Sequence, residues 1–153
     1  MILVNNNKNQ TIIIVTAPHC AICKAMNEAN TCNNLPVNKL LVFLNTNISD
    51  RLTNEMMYKA KDPHSFFKEL LLNDNIKYDD IDLCKDVAET IKDNEEFLVV
   101  LNKVKEIDGI PEFYLRNEDT GVIEYLDVRT HSLENNMLLG NSLVTILKNK
   151  IEE

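Results

Sequence analysis

The sequence predicts an α/β protein with a mixed central sheet and an inserted helical subdomain. Three observations predict it. Residues 12–15 (IIIV) and 39–45 (KLLVFLN) are short, continuous apolar runs, which suits strands covered on both faces. Between them lies a helix-compatible stretch, and two strands separated by a helix make a parallel βαβ unit. Residues 49–101 carry helix signals throughout, whereas 112–116 and 122–126 flank a turn-forming stretch and read as paired strands.

Taken in order, residues 2–4 form a short strand, and 5–10 a turn in which Asn suits positive φ. Ala17-Pro18 stops the apolar run of residues 12–15. The pattern then changes at Cys20-x-x-Cys23 to Lys24, Ala25, Met26, Asn27 and Glu28, a helix running to about residue 30 and closed by Leu35-Pro36. In the helical segment, Leu52, Met56, Met57 and Ala60 recur at roughly helical spacing. Asp62-Pro63 is a start signal, with Asp as N-cap and Pro as the first helical residue. Phe66, Phe67, Leu70 and Leu71 mark its buried face. Asp79 or Asp80 caps a third helix with Leu83, Cys84, Val87, Ala88 and Ile91 inside. Phe97, Leu98, Leu101 and Val104 continue as helix, although FLVVL alone also reads as a strand. Residues 117–121 are a turn, and 142–151 a closing helix with Leu143, Val144, Ile146, Leu147 and Ile151 apolar and Asn141 as cap. No repeat, low-complexity tract or linker interrupts the chain, so residues 1–153 read as one domain, with a helical stretch at about 49–101.

A chain of 153 residues is large enough for a real core. Its 44% hydrophobic and 26% charged residues are ordinary for a soluble protein. The net charge is −8 without any cluster of Lys and Arg, which argues against nucleic acid or an anionic membrane surface as main partner. No apolar run approaches membrane-spanning length, and Met1-Ile2-Leu3-Val4 is followed at once by polar residues, unlike a signal peptide. Four cysteines do not settle the redox compartment.

The chemistry centres on Cys20 and Cys23. A thiol at a helix N-terminus faces unpaired backbone N–H groups and the positive end of the helix dipole, and both favour the reactive thiolate. Cys20, the outer member, is the candidate nucleophile, and Cys23, one turn in, the resolving thiol. Ala21 and Ile22 between them offer the thiolate no side-chain donor. His19 has two readings: protonated, it lowers the Cys20 pKa; otherwise it is a solvated loop residue. The pair also has alternatives. One is half of a zinc site, which wants a second ligand pair, whereas Cys32 and Cys84 are single and His19, His64 and His131 scattered. Another is a redox-inactive relic. Cys32 and Cys84 read as small buried hydrophobes, and a disulfide between them has no support in the sequence. No cofactor or metal is expected.

With Asp108-Gly109-Ile110-Pro111 downstream, the arrangement resembles the thioredoxin superfamily. There a strand delivers Cys-x-x-Cys to a helix start, and a distant Gly-x-Pro holds a cis-proline beside the cysteines. Within it the chain is similar to the catalytic domain of the DsbC/DsbG-type bacterial disulfide isomerases, which carry a helical insertion before the cis-proline. In EMMYKAKDPHSFFKEL (55–70), Tyr58, Ala60, Lys61 and Asp62 match that family. Lys59 stands where the family has the first cysteine of a structural disulfide, and the family's N-terminal dimerisation domain is missing, so a monomer is expected. Ile14 stands where thioredoxin itself has a buried acid. The resemblance implies a thioredoxin-like fold and a protein thiol–disulfide oxidoreductase. Its partners would be polypeptide substrates containing Cys residues and a redox protein that recycles the dithiol, with no nucleic acid and no membrane insertion. It further implies a cis Ile110-Pro111 bond presenting a backbone edge to extended substrate, with Ile22, Ile110 and Pro111 as an apolar platform. The location expected is the periplasm, with a leader removed, or else the cytoplasm. Two other readings stay open: a non-catalytic binding module with a static disulfide, and a peroxidase- or glutaredoxin-type enzyme using a small thiol.

Overall fold

The two apolar runs pair in parallel and set the rest of the architecture. The computed structural model describes residues 1–4, 8–20, 37–73 and 77–127. Among them, β1 (Ile2–Val4), β2 (Gln10–Thr16), β3 (Asn38–Phe43), β4 (Glu112–Asn117) and β5 (Ile123–Leu126) form one sheet in the order β1-β3-β2-β4-β5. Only β2 and β3 are parallel; the other three pairings are antiparallel, so the sheet is mixed as expected. The expected helix of residues 21–30, its Leu35-Pro36 closure and the closing helix of 142–151 lie outside the described residues, as do Ile22, Cys23, Cys32 and residues 5–7.

Strand alternation divides the core in two. Ile12, Ile14, Leu41 and Phe43 point to one face, against α1 (Ile48–Lys59) and α2 (Pro63–Leu72). Ile13, Val15, Leu40 and Val42 point to the other, against Leu98 and Leu101 of α3 (Ala88–Val104). The continuous β-branched run is therefore two interleaved faces, each covered. Every fully buried Ile or Leu among them contributes about 1.5–3 kcal/mol.

The helix starts follow local chemistry. The Asn47 side chain accepts from Asp50 N–H at 2.8 Å, and the buried Asp50 carboxylate accepts from Thr46 N–H at 3.0 Å and from the Thr46 hydroxyl. Asp62 accepts from Ser65 N–H at 3.2 Å and from the Ser65 hydroxyl at 2.7 Å, with Pro63 first in α2 as the sequence indicates. Those bonds hold the Asp62 carboxyl below its ordinary range. Phe43 and Phe67 then meet edge-to-face at 5.4 Å, pinning α2 to the sheet.

Three expectations in the insertion fail. Residues 77–87 are not helical: Ile81 bridges to Ala60, Lys61 N–H donates to Asp80 O at 2.8 Å, and Asp82 N–H donates to Lys59 O at 3.0 Å. The segment is acidic, and Asp side chains capture backbone donors, Asp82 from Cys84 N–H and Asp86 from Ala88 N–H, both at 3.0 Å. Such bonds offer the backbone an alternative to helix. Leu83 and Cys84 are consequently exposed rather than interior, and Cys84 is a free thiol. Leu52 and Met56 are also exposed, because the buried stripe of α1 is Asp50, Asn54, Met57 and Tyr58. FLVVL, by contrast, is helical: Leu98 and Leu101 are buried while Val99 and Val100 face out, a period near 3.6.

One side chain completes the sheet. β1 ends opposite Leu41, leaving Phe43 without a strand partner on that edge. Asn94 of α3 takes its place, accepting from Phe43 N–H at 3.1 Å and donating to Phe43 O at 2.8 Å. At the other end, Asn117 accepts from Asp119 and Thr120 N–H groups, and Gly121 adopts φ +74 to close the hairpin.

Candidate active site

The sheet register brings two distant loops to one end of the molecule. Val15 pairs with Glu112 in antiparallel fashion, so the chain leaving β2 at Thr16 and the chain entering β4 from Pro111 meet at the same sheet end. Leu44 N–H donates to Thr16 O at 2.8 Å, holding the exit of β3 there as well. Beyond Thr16, Ala17 and Pro18 are buried, His19 is exposed and Cys20 half-buried.

Cys20 is disulfide-bonded. Its partner is not Cys84, which is free, so Cys84 forms no disulfide with Cys32 either. The His19 imidazole meets the Thr53 hydroxyl of α1, Nε2 to Oγ1 at 2.9 Å. This ties the Cys20 loop to the first helix of the insertion, a contact that the sequence gives no hint of. Ile22 and Cys23 lie outside the described residues. Among the described residues, no group of three or more His, Cys, Asp and Glu is arranged to hold a metal ion.

Opposite this loop the Ile110–Pro111 peptide bond is cis. Pro111 is buried, and Ile110 is half-buried against the α3 side of the core. A polar clamp fixes the loop from behind. Lys105, just past the end of α3, places Nζ 3.0 Å from both Asp108 Oδ1 and Glu112 Oε1. Glu112 Oε1 also accepts from Asp108 N–H at 3.4 Å, and Glu112 Oε2 lies 3.2 Å from the Tyr114 hydroxyl. Tyr114 in turn reaches Lys105 O at 3.1 Å, and Ile107 N–H donates to Asn102 Oδ1 at 2.9 Å. Lys105 sits 4.9 Å above the Tyr125 ring.

The electrostatics follow from burial. The Glu112 side chain is 0% exposed and that of Lys105 28%. Partial burial works against the Lys105 charge, but the hydrogen bonds to Glu112 and Asp108 outweigh it and its pKa rises. Burial, reinforced by Glu112, pushes the Tyr114 hydroxyl well above its ordinary value, so it stays protonated and able to donate. Sequence reasoning missed Glu112 and Lys105. The available signal was a charged residue directly after the Gly-x-Pro, two positions before Tyr114 and hence on the same inward face.

No family model matches the sequence, and no curated protein matches it. Solved structures do. DsbA2 of Pseudomonas aeruginosa superposes with a TM-score of 0.65 at 17% identity, over 82% of this chain and 84% of that one. α-DsbA1 of Wolbachia pipientis gives 0.59 at 11% identity, over 94% and 93%. BdbD of Bacillus subtilis, oxidised, gives 0.59 at 15% identity, over 99% and 92%. These likenesses establish the thioredoxin-like fold of the Dsb structures.

Proposed function

We propose that the chain is a thiol–disulfide oxidoreductase acting on protein substrates. The observation that carries this reading is a disulfide-bonded Cys20 in the loop after β2, at the same end of the sheet as the cis Ile110–Pro111 bond. Cys23 is its partner in this reading, and the two form the exchanging pair. With the pair reduced, the Cys20 thiolate attacks one sulfur of a substrate disulfide, whose S–S bond breaks as the mixed disulfide forms. The released substrate thiolate takes up a proton. Cys23, deprotonated, then attacks the Cys20 sulfur, expelling the second substrate thiol and closing the Cys20–Cys23 disulfide, so two electrons pass to substrate. Run in reverse, the oxidised pair takes two electrons from a substrate dithiol and is recycled by a redox partner protein.

In this reading Ile110 and Pro111, with Ile22, are the platform for extended substrate, and His19 is the neighbour of Cys20 that Thr53 holds in place. Solved structures similar to this chain include DsbA proteins and BdbD, which supports a Dsb-type oxidoreductase nearer to these than to the isomerases suggested by the DsbC/DsbG-like segment. A monomer in an oxidising compartment outside the cytoplasm, the periplasm or its equivalent, fits that reading, because disulfides persist there. Cys20→Ser should abolish both insulin reduction and refolding of reduced ribonuclease, while Cys84→Ser should leave both intact. Full activity in Cys20→Ser overturns the assignment. The non-catalytic module with a static disulfide would give no activity in either form.

A further inference from the structure

At the end of β3, between α1 and the first half of α3, lies a cavity of about 390 Å³. α1 contributes Arg51, Asn54, Glu55 and Tyr58, whose spacing puts them on one helix face. From α3 come Asn94 and Glu95. Asn54, Tyr58 and Asn94 are buried and form the floor, and Arg51 and Glu95 are exposed at the mouth.

The floor has an acceptor left over, while the Asn54 amide N–H groups and the Tyr58 hydroxyl are already used as donors. The Asn94 amide is committed on both sides, to Phe43 N–H and O and to the Tyr58 hydroxyl at 3.4 Å. Asn54 Nδ2 donates to Asn45 Oδ1 at 2.7 Å, but Asn54 Oδ1 is buried with no hydrogen-bond partner in a residue only 4% exposed. A buried acceptor without a donor is unfavourable, and a ligand N–H removes that penalty. At the mouth, Glu95 makes no ion pair among the described residues. Glu55 meets Arg51 through one oxygen at 3.5 Å, and the Arg51 side chain is 71% exposed and free to swing into water. The Phe43 and Tyr58 rings supply an apolar wall. The complement to acceptors behind an apolar wall is a donor-only cation on an aliphatic stem.

We propose that this cavity is a subsite for a guanidinium or alkylammonium group, the arginine or lysine side chain of a polypeptide. Its place supports a polypeptide over a free small cation. Thr53, next to Asn54, holds His19, and Leu44, next to Asn45, holds Thr16, so the cavity adjoins the loop that carries Cys20. If the exchange reading holds, the subsite selects substrates with a basic residue near the reacting cysteine; the cation site itself does not depend on it.

Binding is tested on the full-length Cys20→Ser chain by ¹⁵N NMR titration, which separates the subsite from exchange chemistry. The probes are acetyl-Gly-Arg-Gly-amide, the same peptide with citrulline, and agmatine. The arginine peptide should shift the side-chain amide signals of Asn54 and Asn94, the citrulline peptide should not, and Glu95→Lys should weaken binding at least about tenfold. Glu95→Gln should fall between the two. Equal response to arginine and citrulline, or unchanged affinity in Glu95→Lys, overturns the proposal. Agmatine binding more tightly than the peptide overturns the polypeptide as occupant. Since Cys20 is absent from the tested chain, failure to bind says nothing against exchange, and lost exchange in other variants says nothing against the subsite.

Discussion

Replacing Glu112 by Ala should destabilise the protein by about 3 kcal/mol, the low end of the cost of breaking a buried ion pair. The carboxylate lies within 3.0 to 3.4 Å of Lys105 Nζ, Asp108 N–H and the Tyr114 hydroxyl, and its side chain is 0% exposed. The low end applies because the stranded partners have other recourse. Lys105 is 28% exposed and keeps Asp108, and the Tyr114 hydroxyl keeps Lys105 O. The converse change, Lys105→Met, should cost more than Glu112→Ala, because it removes the cation that the buried Glu112 carboxylate shares with Asp108. Glu112→Gln, which preserves volume and one acceptor, should cost about 1–2 kcal/mol. Urea denaturation at neutral pH, with the slope unchanged between variants, gives each number directly. A cost below about 1 kcal/mol for Glu112→Ala, or a reversed order of Lys105→Met and Glu112→Ala, would refute the claim that this clamp holds the Ile110–Pro111 loop.

Other outcomes are equally specific. Asn94→Leu removes the sheet-edge surrogate and leaves Phe43 N–H and O buried without partners, which should cost about 2–5 kcal/mol in the same assay; a neutral result would show that water replaces the amide. Glu118 is held below its ordinary 4.5 chiefly by the Thr11 hydroxyl at 2.6 Å, then by Arg116. A depressed carboxyl stabilises the fold above its unfolded pKa, and that contribution is lost as pH falls through the folded value. Thr11→Val should therefore raise the Glu118 pKa in an NMR titration and weaken the acid dependence of stability below about pH 4.5; an unmoved pKa would assign the shift to Arg116 instead. Gly121→Ala, with φ +74 and open space around the added carbon, should cost about 1–2 kcal/mol from backbone conformation alone.

The sequence announced the sheet far better than the insertion. Residues 12–15 and 39–45 had no other reading than strand, and Asp62-Pro63 left little doubt about the start of α2. Residues 77–87 misled because Val87 and Ile91 keep helical spacing while Asp82 and Asp86 turn the backbone away from helix; periodicity does not register side-chain capture of a single N–H. At the candidate site, the cis bond was legible from the Gly-x-Pro, and the place of Cys20 just after a buried strand from the apolar run before it. Glu112 and Lys105 were not, because an inward charge is recognisable only once the register places Glu112 opposite Val15. The Thr53 contact of His19 spans loop and insertion, and no local pattern encodes such a pairing.

The most direct test is the reduction potential of the Cys20 disulfide, measured by thiol titration in glutathione buffers on a chain carrying Cys32→Ser and Cys84→Ser, so that neither cysteine outside the proposed pair counts. A dithiol that exchanges with protein substrates should be half-reduced between about −120 and −270 mV. A value below about −300 mV would mark a bond that resists cellular thiols and would contradict an oxidoreductase built on Cys20.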